Sequence, residues 1–114
     1  MNPLELRAHR LALGLNQATL SVMIGVKQNT VSRWEHGTAP IPPGVGTDML
    51  ALSARMADLV DACTTQGRET GTITVVDDPD QPMANVLLVA AARAHAALRA
   101  EGVDVDIVEE DPAH

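Results

Sequence analysis

Apolar residues recur every three or four positions through most of the chain, and what interrupts them is Gly, Pro or a short polar run. The first series is Leu4, Ala8, Leu11 and Leu15, which predicts a helix with those residues on its inner face. Asn2 can cap it, Pro3 suits its first position, and Glu5 can complete a capping box. Gly14 ends it. Asn16 caps a short helix over 17–24, which Gly25 breaks. A third helix is predicted over 28–35, stopping at His36-Gly37. The stretch "TAPIPPGVG" (38–46) holds three prolines and reads as a loop. A longer helix follows over 47–63, with Met49, Leu52, Met56, Leu59, Val60 and Cys63 along one side. The polar, Gly-containing 64–71 reads as a link between domains.

Beyond that link the period changes. "TITVV" (72–76) is β-branched throughout, and "VDVDIV" (103–108) alternates apolar with acidic. Both predict strands, the second with Val103, Val105 and Ile107 on one face. Between them, 77–82 is a turn and 83–101 an Ala- and Leu-rich helix ended by Gly102. Its apolar stripe is Met83, Val86, Leu87, Ala90, Ala94 and Leu98. Residues 109–114 read as a frayed acidic tail. The predicted fold class is α+β, an all-α bundle over 1–64 followed by a small strand–helix–strand unit over 72–108. A two-stranded sheet is marginal by itself, and a chain of 114 residues buries a limited share of its surface. The expectation is a homodimer in which 72–108 is the dimerisation unit. There a second chain would extend the sheet and cover the helix stripe.

Composition refines this picture. With one Trp and no Tyr or Phe, the core must be built from Leu, Val, Ile, Ala and Met. A single Cys63 excludes an internal disulfide and suits a reducing compartment. The N-terminus is polar, without the pattern of a signal peptide. The longest apolar run, 86–92, falls well short of the roughly 20 residues a membrane span needs. A cytoplasmic protein with no membrane contact is expected. The net charge of −7 looks wrong for a nucleic-acid binder until its distribution is considered. Over 1–47, Arg7, Arg10, Lys27 and Arg33 stand against Glu5 and Glu35, a net of +2. Over 65–114 three arginines stand against ten acids, a net of −7, and 48–64 adds −2. The acid therefore lies away from the N-terminal surface.

Residues 16–37 hold the most informative chemistry. Leu20, Ile24, Val26, Val31 and Trp34 fill the angle between two short helices hinged at Gly25, with small Ser21 where they come closest. The outer face of the later helix presents Gln28, Asn29, Ser32 and Arg33. Gln and Asn can pair in bidentate fashion with adenine, and Arg with guanine. A passive surface would use Glu and Lys. Gln17 can add a phosphate contact beside helix N-terminal amides. Lys27, His36 and Thr38 flank the helix, and for them phosphate contact and a plain solvated edge are both open. The same two readings hold for Arg7 and Arg10.

On Leu11, Gly14, Asn16-Gln17, Leu20, Gly25-Val26, Thr30-Val31-Ser32, Trp34-Glu35 and Gly37, residues 4–37 resemble the helix-turn-helix of the Cro/repressor (XRE) family. The resemblance implies sequence-specific binding of double-stranded DNA as a dimer, with the third helix in the major groove. The DNA-binding set it implies is Gln17, Lys27, Gln28, Asn29, Thr30, Ser32, Arg33 and His36. Lys27 departs from the family, which usually places a capping Ser, Thr or Asn there. A single long helix after the prolines departs from longer members, which often have two short ones. More loosely, "WEHGTAPIPPGV…DMLAL" followed by strand, helix and strand resembles anti-CRISPR-associated regulators and the YdiL-like (DUF1870) proteins. In these the C-terminal unit dimerises. The implied function is a dimeric repressor of phage or mobile-element type, binding a palindromic operator and regulating its own operon. The alternative is an antitoxin-like interaction module whose acidic C-terminal unit binds a protein partner. RNA binding through the basic face is a third reading, disfavoured by the scarcity of aromatics for stacking.

Catalytic chemistry has little to stand on. The four His residues (9, 36, 95, 114) form no ligand cluster, and one Cys cannot build a structural zinc site. "DDPD" (77–80) reads as a loop and cap, and no Gly-rich phosphate loop is present. Ser21, Ser32 and Ser53 have no base at recognisable spacing. No enzyme activity, metal or cofactor is expected.

Overall fold

Asn2 accepts from the Glu5 amide (2.7 Å) while Glu5 accepts from the Asn2 amide (2.8 Å), so the chain's first helix opens on a complete capping box. In the computed structural model, which describes residues 1–78 and 80–110, this helix is α1 (Pro3–Ala12). It is followed by α2 (Gln17–Ile24), α3 (Gln28–Glu35), α4 (Pro43–Thr70), β1 (Thr72–Val75), α5 (Pro82–Ala100) and β2 (Asp106–Glu109). The chain divides within α4 into two compact units, Met1–Ala54 and Arg55–His114. The fold is α+β, with a helical N-terminal part and two short strands. Among the described residues no helix is long and apolar enough to cross a membrane.

In the first unit the core is Leu6, Leu13, Leu15, Leu20, Val31, Trp34, Val45 and Met49. This corrects the expected inner face of α1. Leu4 and Leu11 are 72 % and 59 % exposed, and the helix instead buries Leu6 and Arg10. The two stripes have the same helical spacing. A charged residue in the true one concealed it.

The second unit has Met56, Cys63, Ile73, Val75, Val86, Ala90, Ala91, Ala94, Leu98 and Val105 as its core. Burial pushes the Cys63 thiol up, so it stays protonated. The expected link over 64–71 is largely helix, because α4 continues to Thr70. Its polar residues are satisfied locally. Thr64 Oγ1 donates to the Val60 carbonyl and Thr70 Oγ1 to that of Gln66, each at 2.8 Å. Gly67 is a packing residue here. A Cβ there would stand 2.7 Å from Leu98 Cδ1, 3.1 Å from Val105 Cγ2 and 3.3 Å from Ile73 Cγ1. The chain leaves the helix at Gly71, whose φ of 75° is left-handed.

β1 and β2 pair in parallel, Ile73 opposite Ile107, with α5 as the crossover between them. The second strand is shorter than expected: Val103 still bonds back to the Leu98 carbonyl (2.9 Å), and pairing begins at Asp106. Of the predicted α5 stripe, Val86, Ala90, Ala94 and Leu98 are already buried within the chain, and Met83 and Leu87 are half-buried. That stripe does not wait for a second copy. The two sheet edges also differ. Bonds from Asp106 N to Gly71 O and from Glu110 N to Val75 O fix the ladder's phase, so Thr72 and Thr74 turn their main chain to the outer edge of β1. There α4 caps them. Thr74 N donates to Gln66 Oε1 (3.0 Å), Gln66 Nε2 donates to Thr74 Oγ1 (3.1 Å), and Thr72 N donates to Thr70 Oγ1 (3.2 Å).

Intrinsic preference favours Ala over Gly in a helix interior by about 1 kcal/mol. At position 67 the crowding overrides it. Gly67→Ala should destabilise the protein by about 1–3 kcal/mol in urea denaturation; a stabilised variant would show that the three neighbours move aside without cost.

Candidate nucleic-acid interface

The hinge between α2 and α3 is built from small residues. Gly25 caps α2 with φ 74°, its amide donating to the Ser21 carbonyl, and Val26 N donates to the same oxygen (3.0 Å). Ser21 is buried and turns its hydroxyl inward onto the Ala18 carbonyl (2.6 Å). Leu20 and Val31 are fully buried and Trp34 is 4 % exposed, so the inner sides of both helices are closed. At the start of α2, Asn16 and Thr19 form a second capping box.

Arg10 and Glu35 lock this arrangement. Arg10 Nε and NH2 donate to the two Glu35 oxygens at 2.7 and 2.8 Å, and NH1 donates to the Leu15 carbonyl at 3.0 Å. Their side chains are 9 % and 4 % exposed. Gln17 Nε2 adds a bond to Glu35 Oε1 at 3.3 Å. Burial alone raises Glu35. Hydrogen bonds from Arg10 and Gln17 and the positive charges of Arg10 and Arg7 outweigh it, leaving the carboxyl below its ordinary 4.5. Arg10 is therefore a buried tie, and its reading as an outward phosphate contact is set aside. The pair was legible in one respect, since Arg10 is in phase with Leu6 and Leu13. No sequence signal named its partner.

The opposite side of α3 is open. Gln28, Asn29 and Arg33 are exposed, Thr30 and Ser32 half-buried, and Lys27 and His36 exposed at the two ends. Lys27 occupies the cap position in extended conformation with no side-chain cap bond. The first-turn amides of α3 thus keep their positive end beside an ammonium, which suits an anion. At the other end His36 Nδ1 lies 2.7 Å from the Ser32 carbonyl. A carbonyl only accepts, so Nδ1 holds the proton and Nε2 is left to other partners. Gln17, Arg7 and His36 line one cleft with the Arg10–Glu35 pair. Because that pair cancels internally, the charged groups left outside over 1–47 are Arg7, Lys27 and Arg33 against Glu5. Among the described residues no three His, Cys, Asp or Glu side chains gather as a metal site requires.

This geometry is two short helices locked across a left-handed glycine, with amides and an arginine on the outer face of the second. Residues 6–45 match the family model described as helix-turn-helix. The segment is a helix-turn-helix of the Cro/repressor (XRE) type, which supports a DNA-binding function of the transcription-regulator class. A comparison with curated proteins finds no match.

Glu35→Gln leaves Arg10 buried without a counter-charge and should cost about 3–5 kcal/mol. The sign with pH follows from the lowered carboxyl. The pair's contribution is fully present above 4.5, the unfolded value, and is lost as pH falls through the folded one. Denaturation followed by circular dichroism should show stability falling below pH 4.5 more steeply in the parent than in Glu35→Gln. Parallel acid limbs would remove Glu35 from this role.

Proposed function

We propose that the protein is a dimeric repressor that binds a palindromic duplex operator and regulates its own operon. The observation that carries this reading is the exposed row Gln28, Asn29 and Arg33 on a helix whose other side, Val31 and Trp34, is buried. In it, Gln28, Asn29 and Arg33 read base edges, with Thr30 and Ser32 beside them. Lys27, the open amides of α3, Gln17 and His36 hold phosphates and set the register. One recognition helix spans only a few base pairs. A two-fold dimer with its reading helices one DNA turn apart, about 34 Å, matches a palindrome and doubles the contacts.

The dimer is assigned to the C-terminal unit, through a different surface from strand pairing and the covered stripe. On α5 the outward residues Leu88, Ala92 and Ala96 follow one another at four-residue spacing, and all three are exposed. Ala92 and Ala96 are small enough to let two helices approach closely, Leu88 adds apolar area beside them, and a self-complementary stripe suits an isologous contact. Acid elsewhere on this unit keeps it off the phosphate backbone.

A gel shift with the protein's own upstream DNA tests the reading. Arg33→Ala should weaken specific binding by about 1–3 kcal/mol and relax specificity at one position, with the fold unchanged. Full operator affinity in a folded Arg33→Ala protein would defeat the base-reading role.

Ala92→Arg, a change at an exposed position, should shift sedimentation from dimer to monomer and weaken operator binding together. A variant that stays dimeric would move the interface away from α5.

A further inference from the structure

The sheet of the C-terminal unit has one closed edge and one open edge. Gln66 and Thr70 accept from the two outward amides along β1, those of Thr74 and Thr72. Along β2 the ladder's phase turns the amides and carbonyls of Ile107 and Glu109 outward, and no partner meets them among the described residues. Such an edge is a template for another strand. The side chains around it are acidic. Asp106, Val108 and Glu110 alternate on one face and are exposed, and Glu109 is exposed on the other.

A second copy is a poor occupant. Outward-facing residues must meet outward-facing residues in an antiparallel pair, so β2 can pair with itself in only a few registers. Centring on Ile107 sets Asp106 opposite the apolar Val108 of the other copy and leaves its carboxylate without a counter-charge, and centring on Val108 sets Asp106 opposite Glu110. Centring on Asp106 opposes it to itself. Like charges directly opposed destabilise a pair. Charge complementarity points to a different strand.

We propose that the open edge of β2 binds an extended segment of another protein, added as a third strand. Its side chains carry Lys or Arg, then an apolar residue, then Lys or Arg, at alternate positions on one face. The apolar residue covers Val108, which is 39 % exposed, and the two cations face Asp106 and Glu110. Main-chain bonds to Ile107 and Glu109 supply affinity, and the flanking charges supply specificity. This names a partner chemistry for the C-terminal unit and does not depend on how α3 reads DNA.

The test uses the full chain and two synthetic peptides, Thr-Lys-Thr-Val-Thr-Lys-Thr and the same peptide with Glu for both Lys. The Lys peptide should bind about tenfold tighter or more than the Glu peptide, and it should slow hydrogen exchange at the Ile107 and Glu109 amides. Reversing the edge with Asp106→Lys and Glu110→Lys should invert the preference. Glu109→Pro should abolish binding, because it removes an outward amide. It should leave exchange at Val108 and Glu110 unchanged, because their amides point to β1. Equal binding of both peptides, no binding of either, protection elsewhere, or binding that survives Glu109→Pro would overturn the proposal. A dimer that Glu109→Pro splits would overturn it in favour of a second copy.

Discussion

The arrangement of the N-terminal unit depends on one buried ion pair. Withdrawing a guanidinium and a carboxylate from water costs several kcal/mol per ion, and only near-complete hydrogen bonding offsets it. Arg10 and Glu35 meet that condition, with two bonds between them, one to the Leu15 carbonyl and one from Gln17. The pair links α1, the turn after it, the start of α2 and the last residue of α3. It also decides which way α1 faces, since an inward Arg10 forces Leu4 and Leu11 out. The outer row of α3 can then be polar and exposed without loosening the helix, because its inner side and its end are both held.

In the C-terminal unit, residues that lack bulk do comparable work. Gly67 lets α4 approach Ile73, Leu98 and Val105 closely, and α5 buries the small side chains of Ala90, Ala91 and Ala94. The polar groups of α4 double as edge caps for β1. The unit is therefore asymmetric in hydrogen bonding: the outward amides of β1 are met by its own chain, and those of β2 are not met among the described residues.

Much of this was readable in the chain because local signals agreed with the tertiary outcome. Asn16, Gly25 and the spacing of Leu20, Val31 and Trp34 mark α2, α3 and the hinge; α2 opens on a capping box and ends at a left-handed glycine, while α3 starts at Lys27 without a side-chain cap. The errors arose where a tertiary contact reversed a local signal. Arg10 made the buried stripe of α1 look polar, because its compensating charge lies 25 residues away. Gly67 and its Thr neighbours looked like a linker, because nothing local shows that Leu98 and Val105 need the missing side chain. The α5 stripe was correctly apolar, but a pattern of apolar residues cannot say whether its cover comes from the same chain or from another. For the exposed face of α3, residue type and helical phase sufficed to collect Gln28, Asn29 and Arg33. The Gln17 bond to Glu35 and the His36 bond to the Ser32 carbonyl required coordinates.

The buried indole of Trp34 has a practical corollary. With no Tyr or Phe anywhere in the chain, it is the sole source of near-ultraviolet fluorescence, and it lies in the core of the N-terminal unit with 4 % exposure. Emission therefore reports the environment of α3 alone, while the unit that contains the strands is optically dark. A spectrum that reddens before far-ultraviolet ellipticity is lost would mean that the two units unfold separately. Coincident curves would mean that they unfold together, a distinction available here without any introduced label.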